Sequence, residues 1–231
     1  MEFKHKMTDL TQEHIGEERE TVMSKSSRVV LQISGAALFG ALSLVVSAFT
    51  TRIVPRIPGW EIAIIDPVSI IWVMCFLIFG AKSGMLCCVI GTFGLMIFDT
   101  SFPIVGPLMK FSATFSLIIV PILLLKLFKY EEGVKKSQKI KNPRNFVVYG
   151  ILGILLRIGV MMIANYLLFV TVLAHVFPFV DLSFLGLPGV TGWTAIIIVV
   201  IFINAETSLW DLIIPYVIVF GAKIDQKFSI W

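Results

Sequence analysis

Apolar residues run along this chain in long blocks, not in the alternation of a half-buried strand or the single stripe of a soluble helix. Residues 29–49 form an unbroken first block. It is closed by residues 50–58, where Arg52, Pro55, Arg56 and Pro58 cannot continue a helix in lipid. A loop reaches Ile65, and Asp66-Pro67 then reads as a helix start, with Asp66 as N-cap and Pro67 in the first turn. The apolar run that follows is interrupted only by Gly80-Ala81-Lys82-Ser83-Gly84, a turn's composition with a charge in it, which divides the run into helices at 67–79 and 84–98. About 14 residues each span only ~21 Å at 1.5 Å per residue, short of the ~30 Å of a hydrocarbon core. Short helices of this kind leave a recess at one side of the membrane. Three longer blocks follow at 104–128, 146–176 and 194–222, so the pattern predicts an all-α bundle of six membrane helices with both termini on one side.

Composition agrees with the blocks. Of 231 residues, 57% are hydrophobic and 15% charged, against about 45–50% and 25% in soluble domains, and the mean hydropathy is +0.93. Residues 1–28 form a polar tail bearing Glu13, Glu17, Glu18 and Glu20, without the layout of a signal peptide. Cys75, Cys87 and Cys88 lie in apolar runs with no CxxC spacing and read as small packing residues, not metal or redox groups. The net charge of +4 is a matter of topology. With the N-terminus inside, fifteen of the nineteen basic residues are cytoplasmic, including seven from Lys126 to Arg144, and only Arg52 and Arg56 are outside. That bias orients the chain with cytoplasmic termini and accounts for the charge without a nucleic-acid partner. Residues 129–145 are the linker between two three-helix halves, which show no repeat.

Charged groups inside a bilayer cost at least about 2.5–3.5 kcal/mol each and need a partner or a task. Arg157 and Glu206 fall at similar depth in the fifth and sixth spans, and the expectation is that they pair, as a structural lock or beside a ligand. Asp211, nearer the cytoplasmic end, reads as a helix–helix contact. A second set converges on the outer recess: Asp66, Asp99, Lys110 two turns into the fourth span, Asn165, Tyr166 and His175, with Trp60 in a loop suited to act as a lid. Asn165 beside Tyr166 offers two-sided hydrogen bonding next to an aromatic face, which a planar heterocycle requires; Lys110 is equally consistent with snorkelling and His175 with an interfacial position. Gly80-Ala81-Lys82-Ser83 lacks the glycines of a phosphate-binding loop, and no GxSxG or HExxH occurs. No catalytic set, metal or cofactor is expected, and a membrane enzyme or scaffold built on Arg157 and Glu206 is the alternative from another class.

Small residues mark two helices. Ala37 and Ala41 form an AxxxA pair, Ala36, Gly40, Ser43 and Ser47 a second stripe, and Gly84, Cys87, Gly91 and Gly94 a third in the next short pair. Such faces let another helix approach closely, within the chain or from a partner.

Six spans, the AxxxA first helix, the long outer first loop, the short second–third pair and the basic fourth–fifth linker together resemble the substrate-binding S components of energy-coupling-factor vitamin transporters, over about residues 29–225. Arg157, Met161 and Asn165-Tyr166 are similar to the fifth-helix pattern of riboflavin-type members. The resemblance implies that Asn165 contacts the flavin, with Arg157 holding the helix below it, and that Ala37 and Ala41 dock on a transmembrane T component carrying two ATPases. The sixth helix of riboflavin-type members carries FN followed shortly by a lysine, whereas Phe202-Ile203-Asn204-Ala205-Glu206-Thr207 has no such lysine, and Lys110 stands where the family favours an acidic or amide residue; Asn204 is counted among the candidate binding residues. The implied activity is high-affinity capture of a small water-soluble vitamin, riboflavin first, at the cell membrane.

Overall fold

The computed structural model describes residues 24–53, 56–57, 62–63, 65–98, 103–127, 136–175, 177–228 and 231, and these form an all-α protein with two small antiparallel ribbons. Two compact units divide the chain, residues 1–30 and 31–231. What is described of the first is the start of helix α1 (Lys25–Ile53), where the Ser24 hydroxyl accepts the Ser27 N–H at 3.1 Å, as an N-cap does.

The second unit holds the rest of α1, then β1 (Arg56–Ile57) paired with β2 (Ile62–Ala63), α2 (Pro67–Phe79), α3 (Ala81–Phe98), α4 (Val105–Leu127) and the short α5 (Lys136–Lys141). It continues with α6 (Pro143–Thr171), β3 (Asp181–Leu182) paired with β4 (Leu187–Thr191), α7 (Gly192–Tyr216) ending in a wide π-turn, and α8 (Ile224–Phe228). Four stretches, Lys25–Phe49, Val105–Leu127, Pro143–Thr171 and Gly192–Gly221, are long and apolar enough to cross a membrane; α2 and the apolar part of α3 are shorter.

Helix starts follow the local chemistry. Asp66 caps α2 by accepting the Val68 N–H at 3.1 Å, with Pro67 in the first turn. Asn142 does the same for α6, accepting the Arg144 N–H at 3.0 Å ahead of Pro143, so α6 begins three residues before the expected 146 and ends at Thr171 instead of 176. The division between α2 and α3 is narrower than expected. Gly80 alone, at φ 93°, reverses the chain, and Ala81 to Gly84 already form the first turn of α3, with the Gly84 N–H donated to the Gly80 carbonyl at 2.9 Å. A positive φ is open to glycine at little cost, and one such residue suffices. The eighteen residues of α3 therefore reach ~27 Å, and α2 alone keeps the expected shortness.

Eleven of the thirteen residues of α2 are buried, as in a helix that others surround. Trp72, Val73, Phe76 and Leu77 meet Cys87 and Cys88 of α3, Ile118 and Ile122 of α4, Ile140 of α5 and Val219 beyond α7. Trp72 is fully buried and donates through Nε1 to the Ser43 hydroxyl of α1 at 3.0 Å; a Cβ on Gly91 would lie within 2.5–2.6 Å of its indole. A second cluster joins Met161 and Phe169 of α6 to Ala195, Ile196 and Val199 of α7, covered by Val180 and Leu182. Outward faces carry exposed Leu127, Leu155, Ile163 and Phe202, more apolar surface than water tolerates. Beyond α7, Lys141 pairs with Asp225 at 3.1 Å, the Tyr216 hydroxyl donates to the Lys141 carbonyl, and Trp231 Nε1 donates to the Leu77 carbonyl at 3.1 Å, fastening α5 and the last residues to the end of α2.

Candidate functional site

Among the described residues, two pairs of opposite charges lie inside the bundle. The first is built on the N-terminus of α2. Its cap, Asp66, receives Lys110 Nζ of α4 on Oδ1 at 2.8 Å and the Ser69 hydroxyl on Oδ2 at 2.8 Å. Because the Ser69 proton is given to Asp66, the Thr114 hydroxyl, 2.9 Å away, donates to Ser69. Both carboxylate oxygens are thus occupied. Lys110, with 28% of its side chain exposed, uses one of its three ammonium donors here and directs the others to no partner among the described residues.

The second pair joins α6 to α7. Arg157 donates from Nη1 to Asp211 Oδ2 at 2.6 Å, from Nη2 to Thr207 Oγ1 at 2.9 Å and from Nε to Asn204 Oδ1 at 3.1 Å. Thr207 and Asn204 pass their own hydrogens to the Ile203 and Val200 carbonyls. The whole group is buried, Asp211 completely, and Asp211 Oδ1 has no partner among the described residues. The two charge pairs are close enough to act on each other electrostatically.

This corrects the expected pairing of Arg157 with Glu206. Asn204, Thr207, Ser208 and Asp211 recur at helical spacing and share one face of α7; Glu206, two residues from Asn204, is turned by about 200°. It accepts instead from Trp210 Nε1, one turn along its own helix. Arg157 meets α7 along the stretch that contains Glu206, but rotational phase decides which side chain meets α6. Asp211 is a helix–helix contact, as expected, with Arg157 as its partner. Asn204 is engaged with Arg157 and the Val200 carbonyl instead of standing free for a ligand.

The remaining candidates separate. Arg157, Met161, Asn165 and Phe169 recur every fourth residue on α6 and all are buried or half-buried. Asn165 donates one amide hydrogen to the Met161 carbonyl at 2.8 Å, which leaves its carbonyl oxygen and second hydrogen for another group. Tyr166 does not share that face. It is 54% exposed, and its ring packs on Trp193 with centroids 5.2 Å apart. His175 is exposed beyond the end of α6. Asp99 and Trp60, with all of the lid expected over residues 50–65 except Ile65, lie outside the residues whose side chains are described. A small apolar pocket between Val73, Phe76, Leu117, Pro121, Ile140 and Leu212 touches none of the candidate residues and suits no polar ligand.

The small-residue stripes divide cleanly. Ala36, Gly40 and Ser43 are buried, and a Cβ on Gly40 would come within 2.8 Å of Ile90 of α3; the stripe of α3 likewise meets Phe76, Trp72 and Leu44 through Gly84, Gly91 and Gly94. Ala37 and Ala41 are exposed. Set against known proteins, the chain matches no family model, no curated protein and no solved structure. The fold and site define an all-α protein whose apolar helices suit a membrane.

Proposed function

We propose that this chain is the substrate-binding S component of an energy-coupling-factor transporter, with six membrane passes and both termini in the cytoplasm. It captures a small water-soluble vitamin at the cell membrane, riboflavin being the leading candidate, and acts without an ATPase of its own beside a T component and two ATPase subunits. The observation that carries this reading is the half-buried polar group at the start of α2: among the described residues, Lys110 has unspent donors there, and Asn165 on the inward face of α6 keeps an unspent amide edge. Exposure of Ala37 and Ala41, while the neighbouring stripe is packed inside, supports a docking role for the AxxxA face. Lys110 in place of the family's acidic or amide residue favours a ligand richer in acceptors, and another vitamin is the alternative within the class. The closed Arg157–Asp211 group supports a structural role for Arg157, as the family resemblance implies.

Titrating the purified chain in detergent with riboflavin, followed by flavin fluorescence and calorimetry, tests this. Saturable one-to-one binding is expected. Asn165→Ala should weaken it by about 1–3 kcal/mol, the cost of an unpaired polar edge, while Tyr166→Ala should leave affinity unchanged. If riboflavin does not bind, mass spectrometry of the ligand that copurifies separates another vitamin from an empty scaffold, and a chain that binds no vitamin refutes the class assignment.

A further inference from the structure

The connection from α6 to α7 is too apolar for a loop that faces water. Residues 172–191 contain one Asp and one His and no Lys, Arg or Glu. The Asp is spent locally, since Asp181 Oδ1 accepts the Ser183 N–H at 2.9 Å. One side of the connection is fixed to the bundle through Val180 and Leu182, both buried against the α6–α7 cluster. The other side presents Phe179, 82% exposed, together with Leu185 and Leu187.

Part of its backbone is paired internally. Leu182 pairs with Leu187 and Asp181 with Thr191 across the ribbon. The N–H groups of Phe177, Val180, Gly186 and Gly192 are donated to the carbonyls of Leu173, Phe177, Ser183 and Val180. A segment whose backbone hydrogen bonds are met internally can leave bulk water without the penalty that bars irregular chain from lipid.

We propose that this connection is a membrane-interface anchor, lying flat at the boundary between headgroups and acyl chains of a phospholipid leaflet, with Phe179, Leu185 and Leu187 inserted. Two features favour lipid over a protein partner. Exposed apolar side chains also lie on both adjoining helices, Ile163, Leu167 and Val170 of α6 and Ile197 of α7, the sides that face lipid if these helices span. At the junction Trp193 packs between Tyr166 and Phe177, with centroids at 5.2 and 4.9 Å, and Trp and Tyr collect at the headgroup level because their rings are apolar with one polar atom. Tyr166 on this reading is a depth marker, whatever ligand the interior takes.

Nitroxide labels on Phe179→Cys and Leu185→Cys in the full chain, reconstituted into phosphatidylcholine vesicles, test the proposal. The native cysteines are fully buried, so labelling is confined to the new thiol. Leu155→Cys on the exposed flank of α6 serves as the lipid reference and Lys136→Cys as the water reference. Collisions of both labels with oxygen should exceed those with a water-soluble nickel chelate several-fold, placing them between the references and nearer Leu155. Labels that behave as at Lys136 would mean a water-facing lid, and labels shielded from both reagents would mean a covering protein or a second copy; either result overturns the proposal. Without any label, brominated phosphatidylcholine should quench a component of the native fluorescence that Trp193→Phe removes, and an unchanged quenched fraction would also overturn it.

Discussion

The pair at Asp66–Lys110 and the pair at Arg157–Asp211 use the same chemistry for different ends. Arg157 has a planar fork of donors, and α7 supplies one acceptor for each of three nitrogens from a single face: Asp211, Thr207 and Asn204. Thr207 and Asn204 are held in turn by carbonyls of their own helix, so among the described residues nothing in the group is left to meet a ligand except one carboxylate oxygen of Asp211. Lys110 is a flexible point charge that, among the described residues, reaches only one carboxylate, and that carboxylate is shared with a helix N-terminus and a serine. A saturated pair fixes helices, and a pair with spare donors at a partly open end can read a ligand.

Breaking the saturated pair gives the largest expected effect. Arg157→Ala leaves Asp211 buried without its cation, which costs about 3–5 kcal/mol when one partner of a buried pair is removed, and the melting temperature in detergent should fall steeply. Arg157→Met together with Asp211→Leu should recover most of that loss, because no charge is then stranded and Thr207 and Asn204 keep their bonds to Ile203 and Val200. A double variant no better than the single one would show that the charge itself, not its burial, holds the helices.

The open pair should respond the other way. Lys110→Met removes an ion pair that is partly exposed, and such pairs contribute about 0–1 kcal/mol to stability. Affinity for the vitamin should drop by about 1–3 kcal/mol if the spare ammonium donors meet ligand acceptors. Calorimetry and thermal unfolding on the same preparation separate the two quantities, and a variant that loses stability but not affinity would make Lys110 a structural residue like Arg157.

How much of this was legible beforehand follows from what a sequence encodes. Hydrophobic blocks and caps are local, so the helices and the start at Asp66 could be read directly. Asn142-Pro143 is the same signal as Asp66-Pro67 and was passed over because it sits among lysines in a segment read as linker. The break at Gly80 was drawn too wide because composition marks a turn without giving its length, whereas one positive φ sets it. Depth in a membrane is also linear along the chain, which is why Arg157 was matched to a residue of α7 at the right level. Rotational phase around α7 then chose Asp211 over Glu206, and the spacing of Asn204, Thr207 and Asp211 in the sequence carried that information. The separation of Tyr166 from Asn165 is of the same kind, since adjacent residues on a helix point about 100° apart. The small-residue stripes were a different matter. Ala36 and Ala37 are neighbours of similar size, and only the position of α3 decides which stripe is covered.

That last point yields the smallest expected effect on stability and the sharpest on transport. Ala37→Trp with Ala41→Trp places bulk on a face that is exposed, so the isolated chain should keep its melting temperature and its vitamin affinity. Gly40→Leu places bulk against Ile90, where overpacking costs about 1–3 kcal/mol, and serves as the contrast on the other stripe of the same helix. If the exposed face is where a T component approaches, the tryptophans hold the helices apart, and ATP-dependent uptake by the reconstituted complex should be lost although capture persists. Normal uptake by the double tryptophan variant would remove the docking role from this face, and a fall in its melting temperature to the level of Gly40→Leu would mean that Ala37 and Ala41 are packed in the native membrane.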